Sequence, residues 1–384
     1  MQKVSEKMRV AIINITGGGM SKGYRKYLCN IIPKMAVHPE VEAIICISPN
    51  TLNIEGWFGS IPNVEFLNCS PLDFINYRFG RKLKQKLEQF SPDLIFVPVA
   101  RCFNFADVPT LNMMQNIFPF LCKKAQCLSF SDRVLLFFQY FESIRAFKGA
   151  KRIIVTSNFA KDYLINNLNI PSEKISLIYF GRDCDAQKVC RPSSIPLGLE
   201  KKFLFTAGSM ESYRGIEDII EAVRYLKNDL SDLKVVIAGK TRFSMRRYHR
   251  KLLRLCESYG LTRNIIWVGQ LNKAELTWCY QNCAVFIMTS RMETFGMVAL
   301  EAMTNGCLCI AADNPPLPEI FLDSAYYYPP NNYSVLADIV KKVLVLDNKT
   351  KLEMKNKAKT RAEYFTWDKA ADDLIKEFKA AIQG

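Results

Sequence analysis

The sequence predicts an α/β protein of two domains, and three observations carry that reading. Short apolar runs of strand length alternate with helical patterns along the chain, as in parallel sheets whose faces are covered by helices. A strand, a glycine-bearing loop and a helix follow one another at residues 9–35 and again at 202–226, which is how a Rossmann-like unit begins. Between these, residues 190–199 carry Pro192, two serines, Pro196 and Gly198, the composition of a linker. A chain of 384 residues with 49% hydrophobic content is ample for two cores.

In order, residues 9–15 (R-V-A-I-I-N-I) read as a buried first strand. It runs into Gly17, Gly18 and Gly19, and residues 22–35 read as a helix ended near Pro33. Glycine lets backbone approach a ligand closely, but the G-x-G-x-x-G spacing of a dinucleotide site is absent, and a plain turn explains the run as well. Further strands fit at 41–48, 64–67 and 94–97. Residues 76–90 form a basic amphipathic stretch with Arg78, Arg81, Lys82, Lys84 and Lys86. Such a face is usually solvated; the sharper reading lays it on anionic lipid. Residues 152–156, 160–168 and 175–179 read as strand, helix and strand. Asp183-Cys184-Asp185 follows as a turn rather than a metal site.

The second half reads as strand 202–207, a loop from Gly208 to Gly215, helix 216–226, strands 234–238 and 265–269, and helix 271–280. Strand 284–288, helix 297–304 ended by Asn305-Gly306, and strand 307–312 come next. Residues 326–330, a helix from Val335, and an amphipathic helix from 365 to 382 complete the chain. Within this half, Glu293 falls on the loop after a strand and Glu301 one turn into the following helix. Phe295, Gly296 and Met297 offer backbone amides at that helix N-terminus, an anion site. One segment thus supplies amides for a diphosphate and two carboxylates for hydroxyl-bearing groups, a grip suited to a nucleotide sugar. The plainer reading makes the two acids complements of the helix dipole.

Composition excludes several classes. No stretch is long and apolar enough to span a membrane, residues 134–141 being the most apolar and too short. The first nine residues are charged and lack the apolar core of a signal peptide. Thirteen cysteines at irregular spacing suit reduced thiols in a cytoplasmic protein better than a disulfide framework, and none has zinc-site spacing. A net charge of +15 with a pI near 9.2 favours an anionic partner. No nucleic-acid motif accompanies it. The two histidines, His38 and His249, lie in a turn and a basic helix without a nucleophile's context, which disfavours Ser–His or Cys–His chemistry.

The run E-T-F-G-M-V-A-L-E-A-M-x-x-G-x-x-x-I-A-x-x-x-x-x-x-x-E-I, beginning at Glu293, resembles the E-x7-E signature of family 4 glycosyltransferases. The resemblance extends over nearly the whole chain, most firmly from Lys151 onward. It implies the GT-B fold, two Rossmann-like domains facing across a cleft. Their expected limits are residues 1–190, on the acceptor side, and 191–364, on the donor side, with 365–384 a helix crossing back. It implies transfer of a hexosyl group from a nucleotide sugar to an acceptor hydroxyl with retention, without a cofactor or metal. Expected roles are charge stabilisation by Arg214, sugar contact by Glu293 and ribose binding by Glu301, with the amides of Phe295, Gly296 and Met297 on the diphosphate.

Gly208–Gly215 resembles the family loop G-R-L-x-x-x-K-G, whose arginine and lysine hold that diphosphate. Arg214 stands at the lysine and Ser209 at the arginine, so one cation is missing, and Lys240 or Arg242 is the expected substitute. Gly18 and Gly19 stand where the loop faces the donor phosphates, Gly269 near the base, and Gln115-Asn116 where the family often places a sugar-touching histidine. Surface polysaccharide or glycolipid synthesis at the cytoplasmic membrane face, with a sugar or lipid-linked acceptor, is the implied setting. Two rival readings are another GT-B enzyme, such as a nucleotide-sugar epimerase, and a catalytically weakened subunit or scaffold, to which Ser209 and Gln115 lend support.

Overall fold

The computed structural model describes residues 7–15, 22–71, 73, 81–121, 130–183 and 189–383. Two compact units share the chain: Met1–Phe120, Val134–Gly181 and Phe365–Gly384 form one, Leu121–Arg133 and Arg182–Tyr364 the other. The division falls at residues 181 and 182, whereas the linker-like composition lies at 190–199.

The first unit holds a seven-stranded parallel sheet of β1 (Met8–Ile13), β2 (Val41–Pro49), β3 (Val64–Cys69), β4 (Leu94–Val97), β5 (Thr110–Met113), β6 (Arg152–Val155) and β7 (Ile175–Leu177), in the order β3-β2-β1-β4-β5-β6-β7. Strand β1 pairs with β2 on one side and β4 on the other, so Ala11 faces Ile45 and Ile95 across two ladders. A strand covered on both faces needs no polar alternation, and M-R-V-A-I-I shows almost none. Helices α1 (Lys22–Ala36), α2 (Arg81–Phe90), α3 (Phe118–Leu121), α4 (Phe130–Gly149) and α5 (Asn158–Leu168) intervene. In α2, Leu83 and Leu87 at i,i+4 are buried against Ile45, Ile47 and Val97.

The second unit holds a six-stranded parallel sheet of β8 (Phe203–Ala207), β9 (Lys234–Ala238), β10 (Ile265–Gly269), β11 (Val285–Met288), β12 (Cys309–Ala312) and β13 (Ala325–Tyr328). Its order is β10-β9-β8-β11-β12-β13. Helices α6 (Ile216–Leu226), α7 (Arg246–Ser258), α8 (Lys273–Asn282), α9 (Met297–Thr304), α10 (Leu317–Phe321), α11 (Tyr333–Leu344) and α12 (Asn348–Glu363) cover it, and α13 (Trp367–Gln383) returns to the first unit, packing on α1. Two parallel sheets with helices on their faces are the α/β, GT-B architecture that the sequence implied.

Several elements depart from expectation, three of them instructively. Helix α1 passes through Pro33 to Ala36, because Ile31, Ile32 and Met35 are all buried and that apolar stripe outweighs the bond lost at proline. Helix α12 was not predicted: it has no large apolar stripe and buries only Ala358 and Ala362, four apart, where the chain packs on α9. Strand β12 begins at Cys309 rather than 307. The basic stretch at 76–90 is helical from Arg81, with Lys86 paired to Glu65 at 2.6 Å and Lys84 to Glu88 at 3.7 Å. Arg78 lies outside the described residues.

Candidate active site

In the second sheet the strand order reverses between β8 and β11, and ligands of open α/β sheets bind outside the strand ends at such a point. Two loops leave that point together, 208–215 after β8 and 289–296 after β11. The first is held from below by neighbouring loop ends: Gly208 N–H donates to Ala238 O at 3.0 Å, Met210 N–H to Lys240 O at 3.1 Å, and Gly239 N–H to Gly269 O at 2.7 Å. The packing is so close that a Cβ on Gly239 would lie 1.7 Å from the Gly208 oxygen. Residues Ser212–Arg214 make one 3-10 turn, and Gly215, at φ +61°, turns the chain into α6. A Cβ there would sit 2.6 Å from the Thr289 carbonyl, so the second loop is pressed against the first. Thr289 Oγ1 donates to Arg214 O at 2.6 Å, and Arg291 N–H donates to Tyr213 O at 2.7 Å.

Between the loops a small cleft is lined by Thr206, Gly208, Ser209, Arg214, Met288 and Ser290. The Arg214 side chain lies over Gly208, where a Cβ would come within 3.3 Å of its Nε. Its Nη1 donates to Ser290 Oγ at 3.2 Å and contacts Glu293 Oε1. Burial opposes the charge on Arg214, but the Glu293 carboxylate and other anionic neighbours outweigh it and hold the guanidinium charged. The Nε is buried and makes no hydrogen bond among the described residues. Glu211, one turn away, is raised above the usual carboxylate range by burial, against the opposing pull of Arg242 and Arg214.

Beneath the loops lies a buried polar frame. Arg291 reaches back to the first turn of α6, donating to Glu217 Oε1 at 3.0 Å and to Asp218 Oδ1 at 2.6 Å. Asp218 is fully buried and also accepts the Tyr328 hydroxyl at 2.9 Å and the Asn331 amide at 3.3 Å. Burial raises its carboxyl pKa, and Arg291 with these donors limits the rise. Tyr248 hydroxyl contacts Glu217. This charged frame ties the first turn of α6 to the second loop, and so fixes where the Arg214 loop ends.

On the far side, Phe295 is buried, Gly296 takes φ +101°, and α9 begins at Met297. The Gly296 and Met297 amides at this helix end have no intrahelical partner by geometry. Glu301, one turn on, accepts the Tyr280 hydroxyl at 3.1 Å.

The structure therefore brings Ser209, Arg214 and Glu293 to one pair of loops, with Phe295, Gly296, Met297 and Glu301 on the continuation of the second. Ser209 hydrogen-bonds the Tyr213 side chain. Lys240 is exposed and serves the loop through its backbone carbonyl, whereas the cation beside the loop is Arg242, 3.6 Å from Glu211. Gly269, at φ +66°, closes β10 in open space. Gly18 and Gly19 lie outside the described residues. Gln115 and Asn116 belong to the first unit, where Asn116 Oδ1 caps α3 by accepting the Phe118 amide at 2.9 Å. Asp183 pairs with Lys273 at 3.6 Å, and Cys184 and Asp185 lie outside the described residues. His249 packs edge-on to Trp267, centroids 5.0 Å apart.

Sequence reasoning missed Arg291, Asp218 and Tyr280. Glu217 and Asp218 stand in the first turn of α6, where acids ordinarily complement the helix dipole, and nothing local shows that their partner lies some seventy residues on. The one available signal was Arg291 itself, a charge two residues from Glu293 in a run of otherwise apolar and small residues.

Residues 58–186 match the family model described as Glycosyltransferase Family 4, and residues 192–361 that described as Glycosyl transferases group 1. The serotype-specific mannosyltransferase WbdA of Escherichia coli is 26% identical over 237 residues, 61% of this chain and 28% of that protein. The O-antigen chain mannosyltransferase RfbU of Salmonella typhimurium is 21% identical over 345 residues, 86% of this chain and 90% of that one. Of the first relatives matched, the chain spans between 27% and 60% of the length. HepE of Anabaena, solved with UDP-glucose, superimposes with a TM-score of 0.73 over 97% of this chain and 100% of its own, at 16% identity. With one model on each half and the fold shared throughout, the chain is a GT-B, glycosyltransferase family 4-like protein.

Proposed function

We propose that this protein is a retaining hexosyltransferase, moving a sugar from a nucleotide-sugar donor to an acceptor hydroxyl. The observation that carries the reading is Arg214, a buried cation at the sheet's switch point with its Nη1 on Glu293 and, among the described residues, no partner for its Nε. A guanidinium in that position matches a diphosphate by charge and by hydrogen-bond direction. The Gly296 and Met297 amides add a second set of donors, and Glu301 a carboxylate for the ribose hydroxyls. The names of WbdA and RfbU point toward mannose and the HepE complex toward a uridine diphosphate. The setting proposed is surface polysaccharide or glycolipid assembly at the cytoplasmic membrane face, with a sugar or lipid-linked acceptor.

In this reaction the bond from the anomeric carbon to the diphosphate oxygen breaks, and the bond to the acceptor oxygen forms on the same face. The acceptor proton passes to the departing diphosphate, so no protein nucleophile is used. The protein contributes placement and charge: Arg214 and the α9 amides stabilise the leaving group, and Glu293 holds Arg214 while facing the sugar. Neither metal nor cofactor enters the scheme. Among the described residues no group of three or more metal-ligating side chains occurs.

The test is a thermal-shift screen against UDP-, GDP-, ADP-, CMP- and dTDP-sugars, followed by product analysis with the sugar that binds. At a hundredfold excess over Kd, binding adds about 2.7 kcal/mol of stability. A shift with one nucleotide class and a product of unchanged anomeric configuration are expected. An inverted product overturns retention. No shift with any donor overturns the assignment in favour of a scaffold.

A further inference from the structure

Glu211 shares its loop with Arg214, and no step of the proposed transfer uses it. Its side chain is only 13% exposed and lies 3.6 Å from Arg242, an ion pair too long for a hydrogen bond. Arg242 itself is 55% exposed. The Glu211 carbonyl accepts the Arg214 amide at 2.9 Å, and the Arg214 charge also acts on the Glu211 carboxylate. Asp132, on the segment Leu121–Arg133 that belongs to this unit, adds a smaller like-charge repulsion. Ser209 and Tyr213, whose side chains bond each other, bring no charge.

The paired charges at this loop cancel. Arg214 and Arg242 bring two cations, Glu293 and Glu211 two carboxylates, so the cluster is neutral before a ligand enters. A nucleotide-sugar diphosphate adds two negative charges. Glu293 is committed to Arg214, in a pair that is hidden on both sides. Glu211 is held less firmly, because its cation stands farther off on a side chain open to solvent, where screening weakens the pair. Burial already lifts its carboxyl above the usual carboxylate range. A proton there turns a carboxylate that repels phosphate into a hydroxyl donor that can face it. We propose that entry of the donor diphosphate is coupled to uptake of one proton by Glu211, which returns to solvent when the nucleotide leaves. Donor affinity then grows as pH falls between the values at which the liganded and the free carboxyl titrate, and is level outside that window.

The inference rests on the proposed function for its diphosphate, and the test separates the two. Binding of UDP-glucose and of GDP-mannose to the full chain is followed by calorimetry from about pH 5.5 to 8, in buffers of different ionisation enthalpy. The linking phosphates of these donors exchange no proton in that range, unlike a terminal phosphate, so a proton taken up is taken up by the protein. Wild type is expected to gain up to one proton per donor bound, its Kd rising by as much as about tenfold per pH unit within the window. E211Q keeps the shape of the side chain and cannot titrate; it should gain none, with Kd constant within about twofold. R242Q removes the cation that opposes protonation, so its uptake should move to higher pH. His249, bonded to Thr241 beside Arg242, titrates in the same range, and H249Q should keep the uptake. Circular dichroism checks each fold. Donor binding without proton uptake, or with the same pH dependence in wild type and E211Q, overturns the inference and leaves the proposed function standing. Uptake lost in H249Q instead does the same. Where E211Q fails to fold, R242Q decides, and an unmoved uptake overturns the inference. No binding of either donor at any pH, in wild type or E211Q, removes the proposed function and this inference together.

Discussion

The Arg214 guanidinium and the Glu293 carboxylate, 79 positions apart in sequence, form an ion pair in which both side chains are more than four-fifths hidden from solvent. Removing one member of a buried pair leaves an uncompensated charge and costs about 3–5 kcal/mol, far more than a surface pair. Arg214→Ala and Glu293→Gln are each expected to abolish most turnover. Arg214→Ala is also expected to lower stability, and the double variant Arg214→Ala/Glu293→Ala to lose less stability than the sum of the two alanine singles. A double-mutant cycle in urea checks this, and strict additivity would show that the pair carries no coupling.

The donor loop should be intolerant of side chains beneath it. Gly239→Ala places a carbon 1.7 Å from the Gly208 oxygen, so the loop must move. A stability loss of about 1–3 kcal/mol and a weaker nucleotide-sugar response are expected. Gly198→Ala is the contrasting case: its φ is positive, at +81°, as that of Gly239 is not, but nothing lies within 4 Å of the added carbon. That variant should carry the backbone strain without the change in donor response, which a side-by-side thermal-shift titration measures.

Tyr280 is expected to act through Glu301, to which its hydroxyl donates. Tyr280→Phe removes the hydroxyl that Glu301 accepts at 3.1 Å while keeping the ring against Phe205 and Phe286. A bond to a charged acceptor contributes about 1.5–3 kcal/mol, and donor KM is expected to rise roughly tenfold with kcat within about twofold. Equal falls in kcat and kcat/KM would place the residue in the chemical step instead.

The pH dependence of stability should contain a histidine contribution of known sign. Burial lowers the pKa of His249, whose Nδ1 lies 3.1 Å from Thr241 Oγ1 and whose buried Nε2 has no partner among the described residues. The unfolded chain then binds the proton more readily than the folded one. Stability is lost as pH falls through the ordinary histidine value of about 6.5 toward the lowered one, and is unaffected well above it. His249→Gln keeps a polar contact and removes the titration. Its melting temperature should fall less between about pH 7.5 and 5.5 than that of wild type. Identical slopes would locate the acid sensitivity elsewhere.

Much of this architecture could be read from local pattern. Helices 216–226 and 297–304 and strands 234–238 and 265–269 were predicted residue for residue, because a glycine or a polar loop bounds each apolar run. The bounds of the two loops follow in the same way, whereas Arg214 was singled out by the resemblance of its loop and Glu293 by its place after a strand together with the resemblance. What escaped depends on partners distant in the chain. The Arg291–Asp218 pair spans 73 positions, and α12 buries alanines too small to leave a periodic signal. The choice between Lys240 and Arg242 turned on where Glu211 points, which no spacing reveals. Asn116, expected against a sugar, has its carbonyl engaged in capping α3.

The interleaving of the two units along the chain sets an order of assembly. The first unit draws on residues near the start, in the middle and at 365–384, whereas nearly all of the second lies within 182–364. A chain leaving the ribosome releases the second unit's final strand before it releases Trp367 or Phe378, which bury their rings against Tyr27, Phe180 and Phe96. The first sheet is therefore synthesised before its cover, and stays uncovered along that side until residues 365–383 have been made. The first unit thus encloses the second along the chain, and its apolar flank is closed only after the second unit has been made.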